Sequence, residues 1–66
     1  MIADRIRQAR LAAGLTLGAL GEQVGVSHTA IQKYEKGLLT PSSTQLLKLA
    51  RACGIRTEYF FRTHTI

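Results

Sequence analysis

Most of what could staple, anchor or specialise a small chain is missing from this sequence. Cys53 is the single cysteine, so no internal disulfide can form. A chain of 66 residues without cross-links must rely on one modest core, and it suits a reducing cytoplasm. Tryptophan is absent and the aromatics are few (Tyr34, Tyr59, Phe60 and Phe61), which leaves most of the packing to aliphatic side chains. No apolar run approaches the roughly 20 residues that span a bilayer, so no membrane segment is expected. Met1 leads straight into charged, helical sequence with no signal-peptide pattern. Low-complexity tracts, linkers and repeats are lacking, and no stretch alternates with the period of two that marks a strand.

Acidic residues are scarce as well. Asp4, Glu22, Glu35 and Glu58 form no spaced pair suited to acid and base roles, so no enzyme activity and no cofactor are expected. His28, His64 and Cys53 are too scattered to give a recognisable metal-ligand spacing. Cys53 falls in an apolar stripe and reads as a core residue rather than a redox switch.

What remains is basic and apolar. Nine lysines and arginines against four carboxylates leave a net charge of +5, which suits a polyanionic partner such as nucleic acid or an anionic membrane surface. Hydrophobic residues make up 45% of the chain, enough for a folded domain rather than a disordered tail.

The punctuation is tight. Gly14, Gly25, Gly37 and Gly54 separate periodic segments, and Pro41 is the only proline. The spacing predicts five short helices in one all-α domain over residues 1–66. A first helix, about Ile2 to Ala13, carries Ile6 and Ala9 inward and Asp4, Arg5, Arg7 and Gln8 to water. A second begins at Thr16, a capping residue, and turns Leu17, Leu20 and Val24 to the core. Ser27 caps a third helix, about His28 to Lys36, with Ile31, Tyr34 and Glu35 toward the protein and His28, Thr29, Gln32, Lys33 and Lys36 on the other side. Tyr34 is expected to pack with Leu38 or with the fourth helix. Ser42 or Ser43 caps that fourth helix, which buries Leu46, Leu49, Ala50 and Cys53 and ends near Cys53. A short fifth helix follows, about Thr57 to Phe61. The tail from Arg62 to Ile66 reads either as a fraying end or as the start of a segment continuing into a longer regulator, with this chain as its N-terminal part.

The stretch from Thr16 to Gly37 carries the functional signal. Two helices are joined by the short connection Gly25-Val26-Ser27. The glycine stands where the chain must turn, the valine plugs the angle, and Gly21 lies where the helices would touch. This is the layout of a helix-turn-helix, in which the second helix of the pair enters the DNA major groove.

The order of segments makes the likeness specific. Ile6-Arg7-Gln8-Ala9-Arg10, Gly14-Leu15-Thr16 and Leu20-Gly21-Glu22-Gln23-Val24-Gly25-Val26-Ser27 are followed by Ile31-Gln32-Lys33-Tyr34-Glu35-Lys36-Gly37, Pro41-Ser42 and Leu46-Leu47-Lys48-Leu49-Ala50. Over about residues 2 to 61 the chain resembles the Xre family, the lambda-repressor-like (Cro-type) helix-turn-helix domains. The resemblance implies a compact five-helix fold, binding to double-stranded B-form DNA, and a homodimer on a pseudo-palindromic operator in a transcriptional regulator, most simply a repressor.

It also implies roles. His28, Thr29, Gln32 and Lys33 become base readers: Gln can pair with adenine, Lys can donate to guanine, and His and Thr reach several acceptors. Thr16 and Leu17, through their backbone N–H groups, become phosphate contacts at a helix N-terminus, joined by Lys36, Thr40 and Ser43. Arg10 and Glu35 resemble a partly buried ion pair tying the first helix to the third. Leu17 stands where the family often has a glutamine that reaches a phosphate, and Cys53 where leucine is common. Gly18 and Gly21 replace a polar residue and an alanine, which predicts a loose second helix. Tyr59, Phe60 and Phe61 are expected to close the core, with part of that surface available to a dimer. The alternative function is the same fold used as a protein-interaction or oligomerisation module.

Overall fold

The computed structural model describes residues 2–61. They form α1 (Ile2–Ala12), α2 (Leu17–Val24), α3 (His28–Lys36), α4 (Ser43–Cys53) and α5 (Glu58–Phe61), with no strand among the described residues. The helix starts follow from three hydroxyl caps. Thr16, Ser27 and Ser42 hold extended backbone, and their side-chain oxygens accept from the N–H groups of Ala19, Ala30 and Gln45 at 3.0, 3.1 and 3.2 Å. Each such cap is worth about 1 kcal/mol, because it satisfies a first-turn donor that has no partner within the helix.

Every helix gives residues to a single core. Ile6 and Ala9 come from α1, Leu20 and Val24 from α2, Ile31 and Tyr34 from α3, Leu46, Leu49 and Ala50 from α4, and Phe60 from α5. The inward positions on α1, α3 and α4 recur at three and four residues, so each helix is apolar on one side only. Cys53 is half-buried at the edge of the core, and burial pushes its thiol pKa up.

The corner between α2 and α3 turns on two glycines. Gly21 is buried, and a Cβ built on it would stand 2.5 Å from the carbonyl oxygen of Val26, closer than real side chains come. Its own carbonyl accepts the N–H groups of Gly25 and Val26 at 2.8 and 2.9 Å. The glycine therefore lets the connection fold down onto α2. Gly21 is thus a packing residue where the two helices meet, as its place in the sequence predicts, whereas Gly18 is exposed with nothing within 4 Å of its would-be Cβ. Gly25, at φ 84°, then supplies the left-handed backbone that turns the chain toward Ser27.

Tyr34 is buried, as its helical phase predicts, and lines an apolar hollow with Ile2, Ala3, Leu39 and Pro41, whereas Leu38 is 72% exposed. One expectation is corrected: Arg5 and Gln8 are not merely solvated. The Arg5 guanidinium lies 5.1 Å from the centre of the Tyr59 ring, and the Tyr59 hydroxyl donates to Gln8 Oε1 at 3.1 Å. These two interactions dock the four-residue α5 against α1. The residues from Arg62 onward, including His64, lie outside the described residues.

Candidate nucleic-acid interface

The third helix is held firmly on one side. Arg10 donates from Nε to Glu35 Oε2 at 2.6 Å and from Nη2 to Glu35 Oε1 at 3.1 Å, a two-point pairing that matches the planar guanidinium to the carboxylate. The two side chains are 11% and 6% exposed. The third arm of Arg10, Nη1, donates to the backbone carbonyl of Leu15 at 3.0 Å. The hydrogen bonds to Glu35 raise the Arg10 pKa against the opposing effect of burial, so the guanidinium stays charged. Sequence comparison implied the pairing with Glu35. It did not reveal the Leu15 contact, which binds the α1–α2 connection into the same knot.

With Ile31, Tyr34 and Glu35 turned inward, the outer side of α3 is determined. His28, Thr29, Gln32, Lys33 and Lys36 are all exposed. At 100° per residue these positions sweep an arc of about 140°, one continuous face of the helix. Carboxylates are absent from that face: the only acidic residue of α3 is Glu35, which is neutralised by Arg10. Lys33 and Lys36 fall in the last turn, where cations also complement the helix dipole.

The four expected base readers thus share one exposed surface, beginning at the capped N-terminus of α3. The expected phosphate contacts are placed as follows. Thr16 is the exposed N-cap of α2, and its hydroxyl is engaged with Ala19. Leu17 opens α2 but is half-buried against the core, so its backbone N–H is what it has to offer a phosphate. Lys36 ends α3, Thr40 lies exposed in the connection to α4, and Ser43 is the exposed first residue of α4. Among the described residues no group of three His, Cys, Asp or Glu side chains could hold a metal ion. Among them, too, no helix is long and apolar enough to cross a membrane.

Comparison with known proteins gives this geometry its context. The helix-turn-helix family model matches residues 6–60. An uncharacterised transcriptional regulator in the ATPase CF(0) region of Rhodospirillum rubrum is 38% identical over 60 residues, covering 91% of this chain and 56% of that protein. The chain spans about half the length of the curated relatives it first matches. Among solved structures, the DNA-binding domain of the c2 repressor of phage P22 superposes with a TM-score of 0.88 at 33% identity, covering 92% of this chain and 80% of that one. The biofilm master regulator SinR, solved in complex with DNA, superposes with a TM-score of 0.86 at 30% identity over 94% of this chain and all of that one. On the matched model, the five-helix order and the α2–α3 corner, the chain belongs to the Xre family of lambda-repressor-like helix-turn-helix domains.

Proposed function

We propose that this chain is the sequence-specific, double-stranded-DNA-binding domain of a transcriptional regulator, acting as a repressor, with α3 as the element that enters the major groove. The observation that carries this reading is the division of α3. One side is locked to α1 by a two-point ion pair, and the other presents His28, Thr29, Gln32 and Lys33 together. A reading head needs that combination, because base contacts discriminate only if the helix bearing them is held in register.

In this reading Gln32 pairs with an adenine edge, Lys33 donates to a guanine, and His28 and Thr29 read the bases nearest the helix start. The N-terminus of α2 at Thr16 and Leu17 meets one phosphate strand, and Lys36, Thr40 and Ser43 meet the other. The glutamine that the family often places at Leu17 is missing, so that contact is limited to the backbone. The 66 residues act as one DNA-reading module, the N-terminal part of a longer regulator working in the cytoplasm. It functions without a cofactor and catalyses no reaction. Two copies bind a pseudo-palindromic operator with half-sites about 34 Å apart, one helical turn of DNA. The exposed Leu47 and Phe61, which flank a shallow hollow between α4 and α5, support a homodimer contact there.

The experiment is a binding titration on duplex DNA across a range of salt. Several phosphate contacts predict a log–log slope of several units, since each neutralised phosphate releases about 0.9 counterion. A flat salt dependence, with a protein partner bound instead, would replace this reading with the interaction-module alternative.

A further inference from the structure

Four helices end in the same device. Gly14, Gly25, Gly37 and Gly54 hold left-handed backbone, and each is followed by an apolar residue: Leu15, Val26, Leu38 and Ile55. In all four cases the N–H of that residue donates to the carbonyl five positions earlier. Leu15 bonds Arg10 at 3.1 Å, Val26 bonds Gly21 at 2.9 Å, Leu38 bonds Lys33 at 2.9 Å and Ile55 bonds Ala50 at 2.9 Å. In this cap the apolar side chain lies over the residue whose carbonyl it uses.

Three of the four caps point inward. Arg10 sits in the near-buried ion pair, and Gly21 and Ala50 are buried, so Leu15, Val26 and Ile55 pack against the core. The fourth is aimed the other way. Lys33 belongs to the exposed face of α3, and Leu38 follows it outward to 72% exposure, more than any other large apolar residue described. The neighbouring Leu39 and Pro41 turn to the α1 side, so Leu38 stands apart from that apolar hollow. A cap that plugs the core at three helix ends therefore leaves an aliphatic side chain exposed at the fourth, bonded through its backbone to Lys33 of the outer side of α3.

We infer that Leu38 is a further specificity residue, contacting a thymine methyl group in the major groove beside the base pair read by Lys33. The inference rests on the DNA-binding function proposed above. Charge selects the occupant: Lys33 and Lys36 stand exposed in the turn of α3 that Leu38 caps, and α3 has no unpaired carboxylate, which suits DNA. Chemistry selects the group, because the C5 methyl of thymine is the apolar feature that the major groove displays.

The test uses the duplex that the wild-type protein binds best, with its thymines replaced one at a time by uracil. That change deletes one methyl and preserves base pairing. At one position per half-site, wild-type binding should fall about fourfold. Leu38→Ala should bind the thymine duplex about tenfold more weakly than wild type, and uracil at that position should cost the variant nothing more. Its thermal midpoint should not move, since Leu38 lies outside the core. The inference fails if Leu38→Ala binds as wild type does, or if its loss is the same whether thymine or uracil stands at every position. It fails equally if the variant loses self-association without DNA, which would make Leu38 a contact between copies. Failure of the wild-type protein to select any duplex would instead remove the DNA-binding function, and this contact with it.

Discussion

The two sides of α3 obey different rules. On the inner side, Ile31 is fully buried, Tyr34 nearly so, and Glu35 is held at two points by Arg10. On the outer side, His28, Thr29, Gln32, Lys33 and Lys36 are exposed. The inner side sets where the helix lies, and the outer side sets what it meets. Substitutions on the two sides should therefore separate cleanly into losses of stability and losses of recognition.

The largest effect should come from the inner side. Glu35→Ala leaves the Arg10 guanidinium near-buried without its carboxylate, at a cost of about 3 kcal/mol in urea unfolding. The preferred DNA sequence of the remaining folded protein should not change. An unaltered unfolding midpoint would show that the pair does not anchor α3.

On the outer side, Gln32→Ala and Lys33→Ala should each weaken binding to the preferred duplex by about 1–3 kcal/mol and relax the preference at one position. Their unfolding free energies should stay within about 0.5 kcal/mol of wild type. Equal losses on every duplex would reduce the two residues to general cationic and polar contacts.

A finer division runs through α2. Gly18→Ala should stabilise by somewhat under 1 kcal/mol, because the site is open and alanine favours the helix. Gly21→Ala should destabilise despite the same gain in propensity, since its Cβ would press on the Val26 carbonyl and push the turn before α3. Denaturant titration of the pair checks the sign of each; equal stabilisation by both would mean that the corner yields freely.

The smallest effect concerns Cys53. Burial raises its thiol pKa, with the nearby Glu35 charge adding to the rise and Arg10 opposing it. The folded state thus holds the thiol proton more tightly than the unfolded chain does. That contribution to stability is complete below the ordinary thiol pKa and is lost as pH rises through the folded value. Near pH 8, alkylation of the folded protein should be slower than that of the urea-unfolded chain. Equal rates would show that Cys53 is not shielded.

Much of this division was legible in the sequence because it depends on local rules. Thr16, Ser27 and Ser42 mark helix starts, the glycines mark the ends, and helical phase alone separates Gln32 and Lys33 from Ile31 and Tyr34. What escaped depends on contacts between distant segments. The helix-turn-helix layout marks Gly21 as a point of contact, but the backbone it meets, the Val26 carbonyl, shows only once the turn is folded. Arg5 and Gln8 have the phase of solvated residues, and only the return of Tyr59 to α1 gives them a structural task. Leu38 has the same local sequence signal as Leu15, Val26 and Ile55. It differs because its partner in the cap, Lys33, faces outward.

The central claim is that the outer side of α3 reads sequence. Selection of bound duplexes from a random library at near-physiological salt, run in parallel for the wild-type protein and Gln32→Ala, tests it most directly. The account predicts a two-fold symmetric motif for the wild-type protein and a loss of preference at one symmetric pair of positions in the variant. No enrichment with the wild-type protein, or the same motif at the same strength from both, would contradict it.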